Sequence, residues 1–182
     1  MILCNKRKLG IFLVPRTGTT SICKHFESYE FMLNDHEHIT YLELAVPDKK
    51  SYKFFAFYRD PVERFLSGMR LLKAASKTKP ELAPSTDDPL EFLLNIRDIN
   101  RQTLFIPQVQ WLDYPTVHAL SFRTYVSCFS MICHEFGVEI PKQIPWHNQA
   151  SGDLKYGREF IAKIYETYAD DYAFFENNGL TI

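Results

Sequence analysis

The stretch LVPRTGTTSI, residues 13–22, sets an arginine, a glycine and a cluster of hydroxyls directly behind an apolar run of Leu9, Ile11, Phe12, Leu13 and Val14. This is the layout of a strand that turns into a helix around an anion. Gly18 lets the backbone approach a ligand closely, and the amides of Thr19, Thr20 and Ser21 would direct the N–H groups of a helix start towards it. Thr17, Thr19, Thr20 and Ser21 add hydroxyl donors, and Arg16 adds a permanent positive charge. The G-x-x-x-x-G-K-[ST] spacing of a nucleoside-triphosphate loop is missing. On the turn alone, a phosphate grip and a plain capped strand-to-helix turn account for these residues equally well.

A second constellation lies in FAFYRDPVERFLSGMR, residues 55–70. Arg59 ends an apolar run, and Ser67 follows eight residues later, two turns into the next helix. Glu63, Ser67 and Arg70 share a helical face at i, i+4 and i+7, with Phe65, Met69 and Leu72 on another. An ordinary capped helix explains Asp60, Pro61 and Glu63 but leaves Arg59 and Ser67 without a role. In a parallel sheet two such strand ends come close together, so Arg59 and Ser67 could grip a second phosphate beside the first.

The two motifs together resemble a known family. VPRTGTTSI is similar to the 5′-phosphosulfate loop, and FYRDPVERFLSGMR to the 3′-phosphate-binding element, of sulfotransferases that use adenosine 3′-phosphate 5′-phosphosulfate (PAPS). The resemblance is to the carbohydrate-type branch that includes heparan sulfate 2-O-sulfotransferase, and it covers residues 9 to 72. It implies that Arg16, Thr17, Gly18, Thr19, Thr20 and Ser21 hold the 5′-phosphosulfate, and that Arg59 and Ser67 anchor the 3′-phosphate. It also implies a P-loop-like sulfotransferase fold, a carbohydrate hydroxyl as acceptor, adenosine 3′,5′-bisphosphate (PAP) as product and no metal.

DHEHITYLEL, residues 35–44, is similar to the H-x-H segment before the central strand in that branch. By the resemblance His38 is the catalytic base and His36 its helper, which suits a group that titrates near neutrality and must take a hydroxyl proton. An H-x-H pair can also bind zinc, but His25, His118, His134 and His147 are scattered along the chain, which gives a metal no clear third ligand. Arg16 departs from the family, where this position is usually lysine. Arginine can neutralise a departing phosphate but cannot donate a proton to it at neutral pH. In IPWHNQASGDLKYG, Asn148 matches the family's C-terminal loop, and Lys155, Tyr156 and Arg158 are candidates to close over the cofactor or to form a solvated helix start. Gln108, Gln110 and Trp111 are candidates for an acceptor site, with packing as the alternative for Trp111.

These residues need strands and helices in alternation, and the sequence predicts them. Strands are expected at Leu9–Val14, around residues 29–35, at 52–58 and at 117–122. The run YKFFAFY has the continuous apolar character of a central strand buried on both faces. Helices are expected from Thr19, from Pro61 with Asp60 as N-cap, at 90–99, at 125–136 and as one amphipathic C-terminal helix, with a short helix starting near Tyr41, Leu42 and Leu44. Residues 76–89, with three prolines, read as a mobile surface loop. The expectation is a single α/β domain over residues 1–182, in three layers around a mostly parallel sheet.

Composition narrows the partners. The hydrophobic share of 46% and charged share of 24% are those of an ordinary globular chain, and no apolar run is long enough to cross a bilayer. Residues 1–79 hold fourteen Lys and Arg against eight Asp and Glu, whereas residues 80–182 hold seven against fourteen, so the first half is the one that should face an anion. Dense basic clusters interleaved with aromatics are missing, which favours a small polyanion over nucleic acid. The four cysteines lack C-x-x-C spacing and no secretory leader is recognisable, so a cytoplasmic protein with reduced thiols and no membrane partner is expected. A sulfotransferase acting by direct in-line transfer leads. Behind it stand a PAP/PAPS-binding module without turnover and a kinase-like phosphotransferase, which would need a loop lysine and a magnesium-binding carboxylate.

Overall fold

A computed structural model describes residues 1–29, 31–33, 38–96, 103–144 and 154–182. Five strands, β1 (Ile2–Cys4), β2 (Leu9–Phe12), β3 (Met32–Leu33), β4 (Lys53–Tyr58) and β5 (Val117–Ser121), form one sheet in the order β3-β1-β2-β4-β5. β2 pairs with β4 and β4 with β5 in parallel, while β1 is antiparallel to both β2 and β3. Four strands therefore share one direction and β1 alone opposes them. The helices are α1 (Thr19–Phe26), α2 (Pro61–Ala75), α3 (Pro89–Asn95), α4 (Val109–Leu112), α5 (Tyr125–Phe136), α6 (Arg158–Thr167) and α7 (Ala169–Asn177). The protein is thus an α/β protein with a mostly parallel sheet.

The chain divides into two compact units, neither continuous in sequence. The first comprises Met1–Arg59, Gln108–His147 and Thr181–Ile182, and the second Asp60–Pro107 and Asn148–Leu180. The first unit contains the whole sheet. Alternate residues Ile2, Cys4, Leu9, Ile11, Phe55 and Phe57 pack with Ile22 and Phe26 of α1 and with Phe129, Ile132, Cys133 and Phe136 of α5. Each such large side chain contributes about 1.5–3 kcal/mol by leaving water. From the alternate set, Phe12 and Phe54 meet Tyr41, whose ring stacks on Tyr114 at 4.2 Å. β4 lies between two parallel neighbours, and after the half-buried Lys53 it is buried on both faces, which is why its sequence from Phe54 to Tyr58 is apolar and aromatic.

The second unit packs Phe65, Met69, Leu93, Phe105, Phe160, Ile164 and Tyr168 into its own core. Asp60 caps α2 by accepting the Glu63 N–H at 2.9 Å, and Pro61 opens the helix, as the sequence indicates. Asp88 caps α3 in the same way through the N–H groups of Leu90 and Glu91. Arg64 is buried, and its guanidinium donates to the carbonyls of Leu104, Phe105 and Ile106. It thereby satisfies backbone that would otherwise lie unpaired in an apolar interior.

Several expectations need correction. The terminal helix is two helices, because Tyr168 leaves helical geometry at φ −110° and ψ 31° while its buried hydroxyl donates to the Phe105 carbonyl at 2.8 Å. No helix starts at Tyr41. Thr40 uses its N–H and hydroxyl to bind the Glu43 carboxylate, which closes a turn and leaves Leu42 exposed. α3 ends at Asn95, short of the expected Ile99, and Ile99 lies outside the described residues. β1 was not anticipated, since three apolar residues before a basic turn are too few to show a period. Residues 76–88 are irregular apart from a 3-10 turn at Pro80–Leu82. Among the described residues no helix is long and apolar enough to cross a membrane.

His25 supplies a pH test of the first core. Its ring lies 5.3 Å from Phe129, 5.4 Å from Phe26 and 5.7 Å from Tyr29, with Nε2 3.6 Å from the Cys133 thiol. Burial lowers its pKa below the ordinary value of 6.5, partly offset by Glu139. The unfolded chain then binds the proton more readily, so stability is complete above the unfolded pKa and falls as pH drops below it. The urea midpoint should decline as the pH falls below about 7.5, and His25→Gln should flatten that decline.

Candidate functional site

The chain leaves β2 through Leu13, Val14 and Pro15, all buried, and enters a tight turn. Arg16 and Gly18 both hold positive φ, 66° and 86°. Arginine in the left-handed region costs about 1–2 kcal/mol, a strain that surrounding contacts must hold in place. Thr17 is 1% exposed, and its hydroxyl donates to the Val14 carbonyl at 2.8 Å, so it ties the turn to the strand. The Gly18 carbonyl accepts from the N–H of Ser21 at 3.0 Å and of Ile22 at 3.2 Å, which starts α1. Thr19 and Thr20 are half-buried at this helix start, and Ser21 is buried.

Glycine is required at position 18 for two reasons. Its φ is left-handed, and a Cβ there would lie 2.7 Å from Tyr125 Cε2 and 3.2 Å from Phe122 Cε2. Tyr125 is buried under the turn and its hydroxyl is bonded by Ser21, while burial raises its pKa and keeps the hydroxyl protonated. Neither aromatic was singled out from sequence, because a Phe and a Tyr at the start of a helix look like any other core residues.

Because β2 and β4 are parallel neighbours, the turn after β2 and the residue after β4 emerge at the same end of the sheet. Arg59 is that residue, and its guanidinium carbon sits 4.9 Å from the Phe122 ring centre. The Arg16 pKa is lowered first by burial and then by the charge of Arg59, so two cationic heads share a partly desolvated space. Like charges so placed favour an anion that touches both. The Arg59 backbone is held by Gln108, whose side-chain oxygen accepts from Arg59 N–H at 2.9 Å and whose amide nitrogen donates to the Arg59 carbonyl at 2.8 Å. Gln108 is fully buried, and so is Trp111, which donates from Nε1 to the Ile39 carbonyl at 3.0 Å. Both side chains thus serve the framework, whereas the sequence suggested an acceptor site; packing is the outcome for Trp111. Gln110 is half-buried in α4.

His38 is brought to the base of the turn. Its Nδ1 bonds the Leu13 carbonyl. A carbonyl can only accept, so Nδ1 carries the hydrogen, and in the neutral ring Nε2 is then the basic nitrogen. The Trp111 bond to Ile39 fixes the backbone one residue further on. The first unit therefore assembles Arg16, Gly18, the start of α1, His38 and Arg59, five features that the sequence placed in three separate stretches.

The remaining candidates lie in the second unit or outside the described residues. Ser67 is buried on α2, Arg70 is half-buried and Glu63 exposed. Lys155, Tyr156 and Arg158 are exposed before and at the start of α6, where they line a cavity of about 550 Å³ with Asp88, Leu90, Gly157, Glu159 and Phe160. His36 and Asn148 lie outside the described residues. Among the described residues no group of three or more His, Cys, Asp or Glu is placed to hold a metal ion. The cysteines are free thiols, and burial pushes the Cys133 pKa up to about 11, which makes it a poor nucleophile.

The Gly18 geometry leads to a direct test. Gly18→Ala should lower stability by roughly 1–3 kcal/mol in urea unfolding, because the methyl meets Tyr125 and the backbone must leave its left-handed well. An unchanged midpoint would mean that the turn is not built as described.

Comparison with protein-family models, with curated proteins and with solved structures found no match.

Proposed function

We propose that this protein is a PAPS-dependent sulfotransferase that transfers a sulfonate group to a hydroxyl, of carbohydrate type by the resemblance of its motifs, on a P-loop-like sulfotransferase fold. The observation that carries the proposal is the shared placement of Arg16 and Arg59 beside a left-handed glycine turn that opens a helix. Such a donor set suits a ligand with more than one anionic group, and guanidinium groups suit phosphate oxygens.

PAPS would supply an activated sulfonate and a phosphate leaving group. The protein's part divides between two sides of the turn. On one side, His38 Nε2 accepts the proton of the attacking hydroxyl, with Nδ1–H anchored on Leu13. On the other, Arg16 and the N–H groups at the start of α1 stabilise the negative charge that develops on the leaving phosphate oxygen. Arg59 binds a second phosphate. Arginine at position 16 stabilises this charge by its own charge and by hydrogen bonding, without giving up its proton at neutral pH.

Calorimetry with PAP and with ATP tests the ligand class. Binding of PAP without ATP supports the proposal, and the reverse favours a kinase-like phosphotransferase. Arg59→Ala should weaken PAP by roughly 1.5–3 kcal/mol, the worth of a charge-assisted contact. His38→Ala should leave PAP affinity nearly unchanged and slow turnover of labelled PAPS by about 10²–10⁴-fold. Arg16→Lys should retain or raise activity and Arg16→Ala should lose most of it. PAP binding without turnover on any acceptor, relieved only in Arg16→Lys, would instead mark a binding module.

A further inference from the structure

We infer that Gln108 is a positioning residue of the anion site, setting the Arg59 guanidinium through the Arg59 backbone; the inference rests on the sulfotransferase reading above. The β4·β5 ladder ends at the Tyr58–Ser121 pair, so Arg59 is the first residue beyond it. There the Gln108 side chain takes the place of a neighbouring strand. One carboxamide accepts the Arg59 N–H and donates to the Arg59 carbonyl, at 2.9 and 2.8 Å. Both bonds fix the peptide units on either side of the Arg59 Cα, and with them the direction in which its side chain leaves the sheet. Phe122 then supports the guanidinium from below at 4.9 Å.

The chemistry at position 108 is restrictive. The side chain is fully buried, so water does not readily substitute for it. It must offer one donor and one acceptor at the same time, and among common side chains of this length only glutamine does so without a change of protonation state. An ionised glutamate keeps the acceptor but turns a second oxygen on the Arg59 carbonyl. A protonated glutamate restores the donor.

This distinction supplies a test that a purely structural role would not pass. PAP affinity is measured by calorimetry for the wild type, Gln108→Met and Gln108→Glu, with the folded fraction of each verified by circular dichroism. If Gln108 positions Arg59, folded Gln108→Met binds PAP at least about tenfold more weakly than the wild type, in keeping with a displaced charge-assisted contact. Gln108→Glu is similarly weak at about pH 8, and its deficit relative to the wild type shrinks as pH falls and the buried carboxyl takes up a proton. Should Gln108→Met fail to fold, the pH dependence of the Gln108→Glu deficit decides alone. Wild-type affinity in a folded Gln108→Met, or a Gln108→Glu deficit that is absent or independent of pH, overturns the inference. A wild type that binds no PAP overturns the sulfotransferase reading itself, and this inference with it.

Discussion

The parallel pairing of β2 with β4 is the constraint on which the candidate site depends. Leu9 lies opposite Lys53 and Phe12 opposite Ala56, so the two strands run together and their exits open at one end of the sheet. An antiparallel pair would send the two exits to opposite ends of the sheet. The arginine that follows each strand could not then share a space. Burying the first two strands and β4 against α1 and α5 supplies the free energy that keeps two repelling guanidinium groups close.

The turn between β2 and α1 is supported both by core residues packed against it and by its own Thr17. Tyr125 and Phe122 fill the volume where a side chain at position 18 would stand. Thr17 closes the turn onto Val14, and His38 bonds Leu13 just upstream. Leu13, Val14, Thr17 and Gly18, on either side of Arg16, are thus constrained by an imidazole, a hydroxyl or core aromatics. A rigid support of this kind is what allows a strained Arg16 to persist, since the strain is small beside the cost of unpacking Tyr125.

Much of this was legible in the sequence where a local rule decides structure. The apolar run before Arg59 could only be a buried strand, and Asp60-Pro61 with Glu63 marked a helix start. The glycine and hydroxyls behind the first apolar run marked a strand that turns into a helix, although not the left-handed backbone of Gly18. What was not legible depends on contacts distant in the chain. The break at Tyr168 follows from a carbonyl 63 residues earlier, and the amphipathic pattern around it gives no sign of it. Gln108 could be noted as a polar planar group, but its partner is 49 residues away, and only the fold shows that its carboxamide bonds both the N–H and the carbonyl of Arg59. β1 escaped because its three residues acquire meaning only through pairing on both sides.

The discontinuity of both units bears on how the chain reaches its native state. The first unit needs residues 108–147 to supply β5 and α5, and the Tyr58 hydroxyl donates to the Thr181 carbonyl, so its contacts span nearly the whole sequence. The segment from Asp60 to Pro107 must be looped out before β5 can join β4, and loop closure of that kind is an entropic charge met before the strand pairing returns anything. High contact order slows folding, and a partly synthesised chain would carry β1, β2 and β4 with an open edge at β4 and an uncovered apolar face until α5 emerges. Cutting the protein after Arg59, Pro107 or His147 would divide at least one core between fragments.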